Sequence, residues 1–339
     1  MIKLLGDVHL GKRFKNNVPL HRRGDRERMQ WAEFEAHLND VSPGDIHIQV
    51  GDLFDEAIVP YGVIFRAARA YAEASGRNPQ VKYILYRGNH DASRDVEKIT
   101  AFQIFKLVVA SLSPGRRIEI YDDVPGWLPL EDEKEVHVFL PWHPVETAKE
   151  LVAGVAGTIE NAIKQGFSVI AYGHWDVDRR QEASDNYVPA AELAALGVSR
   201  VVTGHDHNKR DEIIAGIPVH VTGSMQPYDH SQDGEERLYV TRTLAQVLAD
   251  PDAFVDKNLR ITMARDEVLD IPIDCLSLIV VREGVEETGE LNEVDFEAFD
   301  LDQLLGQAIN QVGLRPDVAE KVREKISEKK LEDDDQNVA

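Results

Sequence analysis

The 339-residue sequence has a single cysteine, Cys275, so it can close no disulfide within itself and offers no cysteine-rich zinc site. A reducing cytoplasm is the expected setting. Long apolar runs are also missing. Ser277 to Val281 is typical of the longest, far short of the roughly 20 residues that a membrane-spanning helix needs. Met1 leads straight into Ile2-Lys3-Leu4-Leu5 without a leader pattern, so neither export nor a membrane is expected. Net positive charge is lacking as well: 60 acidic residues stand against 38 basic ones, a formal charge of −22. DNA binding rests on phosphate neutralisation by Lys and Arg, so this total argues at first against a polyanionic partner.

The distribution of charge qualifies that argument. From Asp250 to the end there are 24 acidic and 10 basic residues, which leaves only −8 on the first 249. Between Leu10 and Gln30, Lys12, Arg13, Lys15, Arg22, Arg23, Arg26 and Arg28 face only Asp25 and Glu27, a local net of +5. Such a segment reads equally as a phosphate-binding rim or as a solvated loop and helix face.

What is present is a core-forming 43% of hydrophobic residues, enough for one large domain with a smaller attachment. Short runs rich in Val and Ile predict buried strands at Ile2 to Leu5, Ile46 to Val50, Val81 to Tyr86, Val136 to Leu140, Ser168 to Tyr172 and Arg200 to Thr203. Helical periodicity falls between them, at Arg22 to Asn39, Tyr61 to Ala74, Val96 to Ser111 and Val145 to Lys164. The expected class is α/β, a layered domain over residues 1–225 without internal repeats. Residues 226–289 predict a small α+β cap, with strands at Leu238 to Thr241, Leu259 to Met263 and Leu276 to Val281 and a short helix at Leu244 to Leu248. Apolar stripes over residues 290–331, including Leu301, Leu304, Leu305 and Ile309 and, beyond Pro316, Ala319, Val322 and Ile326, predict a helical tail. Such stripes pack on their own protein or dock a partner. Residues 332–339 predict a disordered end.

The chemistry sits at strand ends. Gly6-Asp7-Val8-His9, Gly51-Asp52-Leu53-Phe54-Asp55 and Gly88-Asn89-His90-Asp91 follow the first three strands, and Gly173-His174 and Gly204-His205-Asp206-His207 end two later ones. Open α/β sheets bind ligands outside the carboxyl ends of their strands, and glycine permits the tight turns needed there. One Gly-Asp is only a turn and one loop His only a surface residue, but five such ends together point to a metal site built from Asp7, His9, Asp52, Asn89, His174, His205 and His207. Carboxylate, imidazole and amide donors without thiolate suit manganese, iron or zinc. Asp52 is the natural bridge, because one carboxylate can serve two cations about 3.5–4 Å apart.

This set of motifs resembles the signature of the calcineurin-like metallophosphoesterases, over roughly Met1 to Ser224. Within that family, Gly-Asp-Leu-Phe-Asp, the Gly-His-Asp-His ending and the trailing segments resemble SbcD-type DNA-repair nucleases and their T-even phage counterparts. The resemblance implies a metallophosphoesterase sandwich holding two divalent ions, manganese foremost. One would take Asp7, His9, Asp52 and His207, the other Asp52, Asn89, His174 and His205. It makes His90 the catalytic residue at the scissile phosphate, oriented by Asp91, while Asp55, which is histidine in some relatives, receives no catalytic role. The implied reaction is in-line attack by metal-activated water on DNA with expulsion of the sugar 3′ oxygen. The implied partners are DNA, an SbcC-like coiled-coil ATPase and a second copy of the chain.

Lys12, Arg13, Arg22 and Arg23 in the basic segment are candidate substrate contacts, as are Trp175 and Tyr228, since bases stack on such rings. Aromatics next to buried strands more often fill core. His21, His37, His47, His137, His143, His220 and His230 lack motif context and are expected in packing or on the surface. Two alternatives compete with a nuclease. A small-nucleotide phosphodiesterase would share the metals, whereas a non-catalytic phosphoesterase-like scaffold would have lost ligands. A Ser/Thr phosphatase is disfavoured by Glu56 after Asp55, where that branch has Arg-Gly.

Overall fold

Two sheets face each other across a layer of apolar side chains, and helices cover their outer faces. The structure, a computed structural model, describes residues 1–282 apart from 96, 116, 179, 181 and 182. The first sheet is wholly parallel, in the order β1 (Ile2–Leu5), β2 (Ile46–Val50), β3 (Lys82–Tyr86), β4 (Ile118–Tyr121). The second contains β5 (Gly126–Leu130), β6 (Glu135–Phe139), β7 (Ser168–Gly173), β8 (Arg200–Thr203), β9 (Arg210–Ile214) and β10 (Ile217–Val221), in the order β5-β6-β7-β8-β10-β9. Its inner four strands are parallel and its two edge strands antiparallel to their neighbours.

Ile48, Val50, Ile84 and Tyr86 of the first sheet meet Leu128, Phe139, Ile170, Tyr172 and Val202 of the second. On the outer face of the first sheet lie α1 (Asp25–Asn39), α2 (Tyr61–Arg77) and α3 (Ala101–Leu112). The second sheet carries α4 (Ala148–Lys164) and α5 (Ala190–Ala195). In α2 the buried positions Ile64, Ala67, Ala68, Tyr71 and Ala74 recur at helical spacing, so one stripe faces the sheet. Strands buried on both faces read as continuous apolar runs, as parallel sheets require.

Three helices start later than their periodicity predicts, because a local feature at each start overrides it. Thr100 and Gln103 form a capping box that begins α3 at Ala101 rather than in the preceding loop, and Thr147 with Glu150 does the same for α4. Gly24, in the left-handed region at φ 88°, separates α1 from a single 3₁₀ turn at Leu20–Arg22.

Beyond Val221 the chain forms a third sheet of β11 (Tyr239–Thr243), β12 (Asn258–Met263) and β13 (Ser277–Arg282), with α6 (Leu244–Ala249). Val240, Leu244, Val247, Phe254, Leu259, Ile261 and Cys275 give it its own small core. It belongs to the same compact unit, Met1–Val281. The β1–α1 loop fastens it beside the main sandwich: Leu278 N–H donates to Asn17 O at 2.9 Å, and Arg22 donates to Val255 O at 2.8 Å. The last part of the expected cap, 283–289, the helical segment 290–331 and the tail 332–339 lie outside the described residues. No helix of the described residues is long and apolar enough to cross a membrane.

Candidate metal centre

All seven expected ligands meet at the carboxyl ends of the strands. β1 delivers Asp7 and His9, β2 Asp52, β3 Asn89, β7 His174, and β8 both His205 and His207. The loops are locked by their backbones. Val8 and His9 N–H both donate to Asp52 O at 3.0 Å, and Met225 N–H donates to Asp7 O at 2.9 Å. Three ligands sit in the left-handed region, His9 and Asp52 at φ 51° and His205 at φ 76°. Such non-glycine backbone persists only where surrounding contacts over-determine it, which is typical of functional sites. Space as well as turning explains the glycines before the ligands, and at Gly51, with φ 85°, both apply. A Cβ at Gly51 would strike the His174 ring, and one at Gly88 the Asp52 carboxylate.

Three of the four ligand histidines have one ring nitrogen tied outward, His9 has one facing outward without a hydrogen bond, and each aims the other at a shared interior. His174 Nδ1–H donates to Val50 O at 2.9 Å, His207 Nδ1 meets Gln232 Oε1 at 3.2 Å, His205 Nε2 meets Asp176 Oδ1 at 2.6 Å, and His9 Nδ1 faces Asp55 Oδ1 at 3.5 Å. The inward nitrogens point at one another or at other acceptors. His9 Nε2 and His207 Nε2 are 3.1 Å apart, and His207 Nε2 is 3.4 Å from Asp7 Oδ2. His174 Nε2 lies 3.1 Å from Asp52 Oδ2 and 3.0 Å from Asn89 Oδ1, and His205 Nδ1 lies 2.9 Å from Asn89 Oδ1. Nitrogen and oxygen atoms that can all serve as metal donors thus converge from separate loops on a common interior, the donor chemistry that divalent cations take. The residues therefore fit metal ions, in two groups: Asp7, His9 and His207, and Asp52, His174 and His205 with Asn89. Asp52, 3.8 Å from His9 and 3.1 Å from His174, stands between them.

The electrostatics agree with a site built for cations. Burial pushes Asp7 well above the usual carboxylate range and His9 and His207 below the usual imidazole range. Burial also opposes charge on Asp52 and His174, yet their mutual attraction, with that of Asp7, prevails. Asp52 is held below the carboxylate range, and His174 is pushed up to about 10.

On the exposed side of the centre, beside His9, stands His90. Its Nδ1–H donates to Asp55 O at 2.6 Å, its backbone N–H donates to Asp52 Oδ1 at 2.9 Å, and its ring is edge-on to His9 at 4.7 Å. The expectation that Asp91 orients it is corrected. Asp91 is fully buried and accepts from Leu53, Phe54 and Gly88 N–H at 3.1, 2.8 and 3.0 Å. It is committed to tying the second and third ligand loops together, and the Asp55 carbonyl orients His90 instead.

The expected substrate contacts divide. Trp175 is 1% exposed within the second sheet's outer core, so its role is packing. Arg22 is consumed by Asp25, Asp256 and Asp274, and so secures the third sheet rather than a phosphate. Arg26 is buried against Gln226 and Pro227, and Arg28 pairs with Asp25. Lys12 does reach the site, 3.0 Å from Asp55 and 5.1 Å from the Tyr228 ring centre. Tyr228 backs the ligands His9 and His207 at 5.2 and 5.4 Å, with its hydroxyl donating to Val8 O at 2.6 Å. Among the described residues Arg13 and Arg23 are exposed and free of ion pairs. Asp176 and Gln232, which hold two ligand histidines, carry no motif signal: one follows Trp175 and the other lies in an ordinary polar loop.

Converging imidazole, carboxylate and amide donors at strand ends, with an accessible histidine beside them, define a dimetal phosphoester hydrolase. The calcineurin-like phosphoesterase family model matches residues 1–209, and the chain belongs to that family. No curated protein sequence matches it. Among solved structures, a Staphylococcus aureus protein assigned as a 5′-nucleotidase is 13% identical with a TM-score of 0.39, over 66% of this chain and 48% of that one. The chain thus spans about half the length of that protein. A phosphopantetheinyl hydrolase from Mycobacterium tuberculosis is 12% identical with a TM-score of 0.38, covering 67% and 93%. A dimetal phosphatase from Danio rerio is 14% identical with a TM-score of 0.37, covering 66% and 87%.

Proposed function

We propose that this phosphoesterase is a DNA nuclease of the SbcD type, using two manganese ions and working as a homodimer with a long coiled-coil ATPase. The observation that carries the substrate class is the shape around the ligands. One solvent-open cavity of about 610 Å³ reaches His205 and His207 and runs along Val177, Asn208 and Ser231. Another, of about 550 Å³, reaches Asn89 and His90 and runs along Lys12 and Ala92. An internal phosphodiester needs room for chain on both sides of the scissile bond, and a terminal phosphate needs it on one.

When bound, the two cations polarise phosphate oxygens and lower the pKa of water to about 7. The chain does the rest. Asp7, His9, Asp52, Asn89, His174, His205 and His207 fix the geometry. The Asp55 carbonyl occupies His90 Nδ1–H, which leaves Nε2 toward the substrate; in the imidazolium form that nitrogen carries the proton that goes to the departing 3′ oxygen, and the ring is left neutral.

The ATPase partner is supported by the amphipathic stripes of residues 290–331. Self-association is supported by an exposed apolar face on α2 and α3, with Phe65 54%, Leu107 70% and Leu112 49% accessible. Beside it lie Arg66, Arg69 and Arg77 with Glu35 and Glu73, both signs on one patch. A two-fold axis can set such a patch against itself. Sedimentation of a Leu107→Asp chain as a dimer would remove this face from the proposal.

One observation favours a small-nucleotide phosphodiesterase instead: Arg22, Arg26 and Arg28 are spent internally, leaving fewer cations for a long polyanion. End-labelled duplex DNA and a cyclic nucleotide, offered in turn with manganese to the wild type, Asp7→Ala and His90→Asn, decide between them. The expected result is shortened DNA with the wild type, none with Asp7→Ala, and a rate lowered about 10²–10⁴-fold with His90→Asn. Cleavage of the nucleotide with the DNA left whole would establish the alternative.

A further inference from the structure

The four outward acceptors behind the ligand histidines are unequal. Val50 offers a backbone carbonyl and Gln232 an amide, whose Nε2 is itself engaged by Asp229. Asp55 stands 3.5 Å from His9 and shares the same oxygen with Lys12 Nζ at 3.0 Å, so its charge is partly satisfied elsewhere. Asp176 differs on each count. It is 6% exposed, Oδ1 lies 2.6 Å from His205 Nε2, and Oδ2 accepts from Ser184 Oγ at 2.7 Å.

The backbone fixes Asp176 as firmly as its side chain. Its N–H donates to Asn186 O at 3.1 Å, and its carbonyl accepts from Val188 N–H at 2.9 Å. Asn186 also reaches back to His174 O at 3.1 Å. The returning segment around Ser184 to Val188 therefore clamps the carboxylate that faces His205.

We propose that Asp176 is the positioning residue of the metal site formed by Asp52, Asn89, His174 and His205, and that it makes this site the tighter of the two. A carboxylate accepting Nε2–H fixes the tautomer, turns the Nδ1 lone pair toward Asn89 Oδ1, and raises the basicity of that lone pair. At the other site His207 leans on a neutral amide and His9 Nδ1, 3.5 Å from the shared Asp55 carboxylate, makes no hydrogen bond, so those histidines are weaker donors. The inference rests on the two-metal reading of the centre and is independent of the choice of DNA.

The test titrates metal-depleted full-length protein with Mn²⁺, reading free Mn²⁺ by electron paramagnetic resonance and heat by calorimetry. The wild type is expected to take up two equivalents in two affinity classes. Asp176→Ala should weaken the tighter class by about 10–100-fold and leave the looser one unchanged. Asp176→Asn retains an amide oxygen and the shape of the side chain, so its loss should be smaller. It also serves as the variant of record if Asp176→Ala does not fold. Gln232→Ala should instead weaken the looser class. Wild-type affinities in Asp176→Asn and Asp176→Ala, or loss confined to the looser class, would overturn the proposal. Fewer than two equivalents in the wild type would instead refute the two-metal reading itself.

Discussion

Replacing Asp91 tests the corrected role of that residue. Its carboxylate is fully buried and takes three backbone donors, two on Oδ2 from Leu53 and Gly88 and one on Oδ1 from Phe54. Alanine would leave three buried N–H groups without an acceptor. Each such orphan costs about 1–3 kcal/mol, and allowing for loop relaxation and water entry, a loss of about 4 kcal/mol is expected for Asp91→Ala. Asparagine keeps one oxygen but turns an NH₂ toward donors, so Asp91→Asn should lose about 1–3 kcal/mol. Urea unfolding in chelator, where bound metal adds nothing to either protein, measures both. The pH–rate profile of whatever folded protein remains should keep its shape, since His90 rests on the Asp55 carbonyl. Full stability in both variants together with a displaced pH–rate profile would refute this and reinstate an Asp91–His90 pair.

Three further expectations follow from the same geometry. His174 is pushed up to about 10 without metal by Asp52 and Asp7, so metal binding must displace its proton; calorimetry of Mn²⁺ uptake near pH 7 in buffers of different ionisation heat should show proton release, and affinity rising with pH. His47, buried in β2, is held down to about 3 by burial, so below the unfolded value of about 6.5 only the unfolded chain takes up the proton and stability falls as pH falls. That amounts to about 2 kcal/mol between pH 7 and pH 5, which His47→Phe should abolish in parallel urea titrations. Trp175→Ala should destabilise by about 3–5 kcal/mol, and in protein kept folded by cold and excess metal its KM for DNA should match the wild type.

Most of the strands that read clearly in the sequence are inner ones. β2 and β8 fall where their Val- and Ile-rich runs place them, as inner parallel strands do, and β1, although at an edge, does so because Lys3 is its one polar residue. The strands that were missed lie mostly at sheet edges. β5 contains Pro129, which an edge tolerates and a centre does not, and β9 carries Arg210, Asp211 and Glu212 with Ile213 facing solvent. The metal ligands were legible because their types and their glycines repeat at five strand ends. Their supports were not, since nothing in His174-Trp175-Asp176 says that the aromatic turns into the core while the carboxylate turns to another loop's histidine. The basic segment misled in a similar way. Charge counted along the chain cannot show that Arg22 is answered by Asp256 and Asp274 from the third sheet.

The glycines at the strand ends carry a consequence for assembly. The space a side chain would fill at Gly51 belongs to His174, that at Gly88 to Asp52, and that at Gly204 to Val50 and Asp7. Each vacancy is reserved by one segment for another, and those at Gly51 and Gly204 join one sheet to the other, so the complete centre needs both. A nascent chain released before β8 has joined the second sheet could brace the loops of Asp7, His9, Asp52 and Asn89 against one another but would not have His205 and His207 in place. Ion capture thus reports that both sheets are complete, and during refolding it should lag behind the appearance of helix and strand.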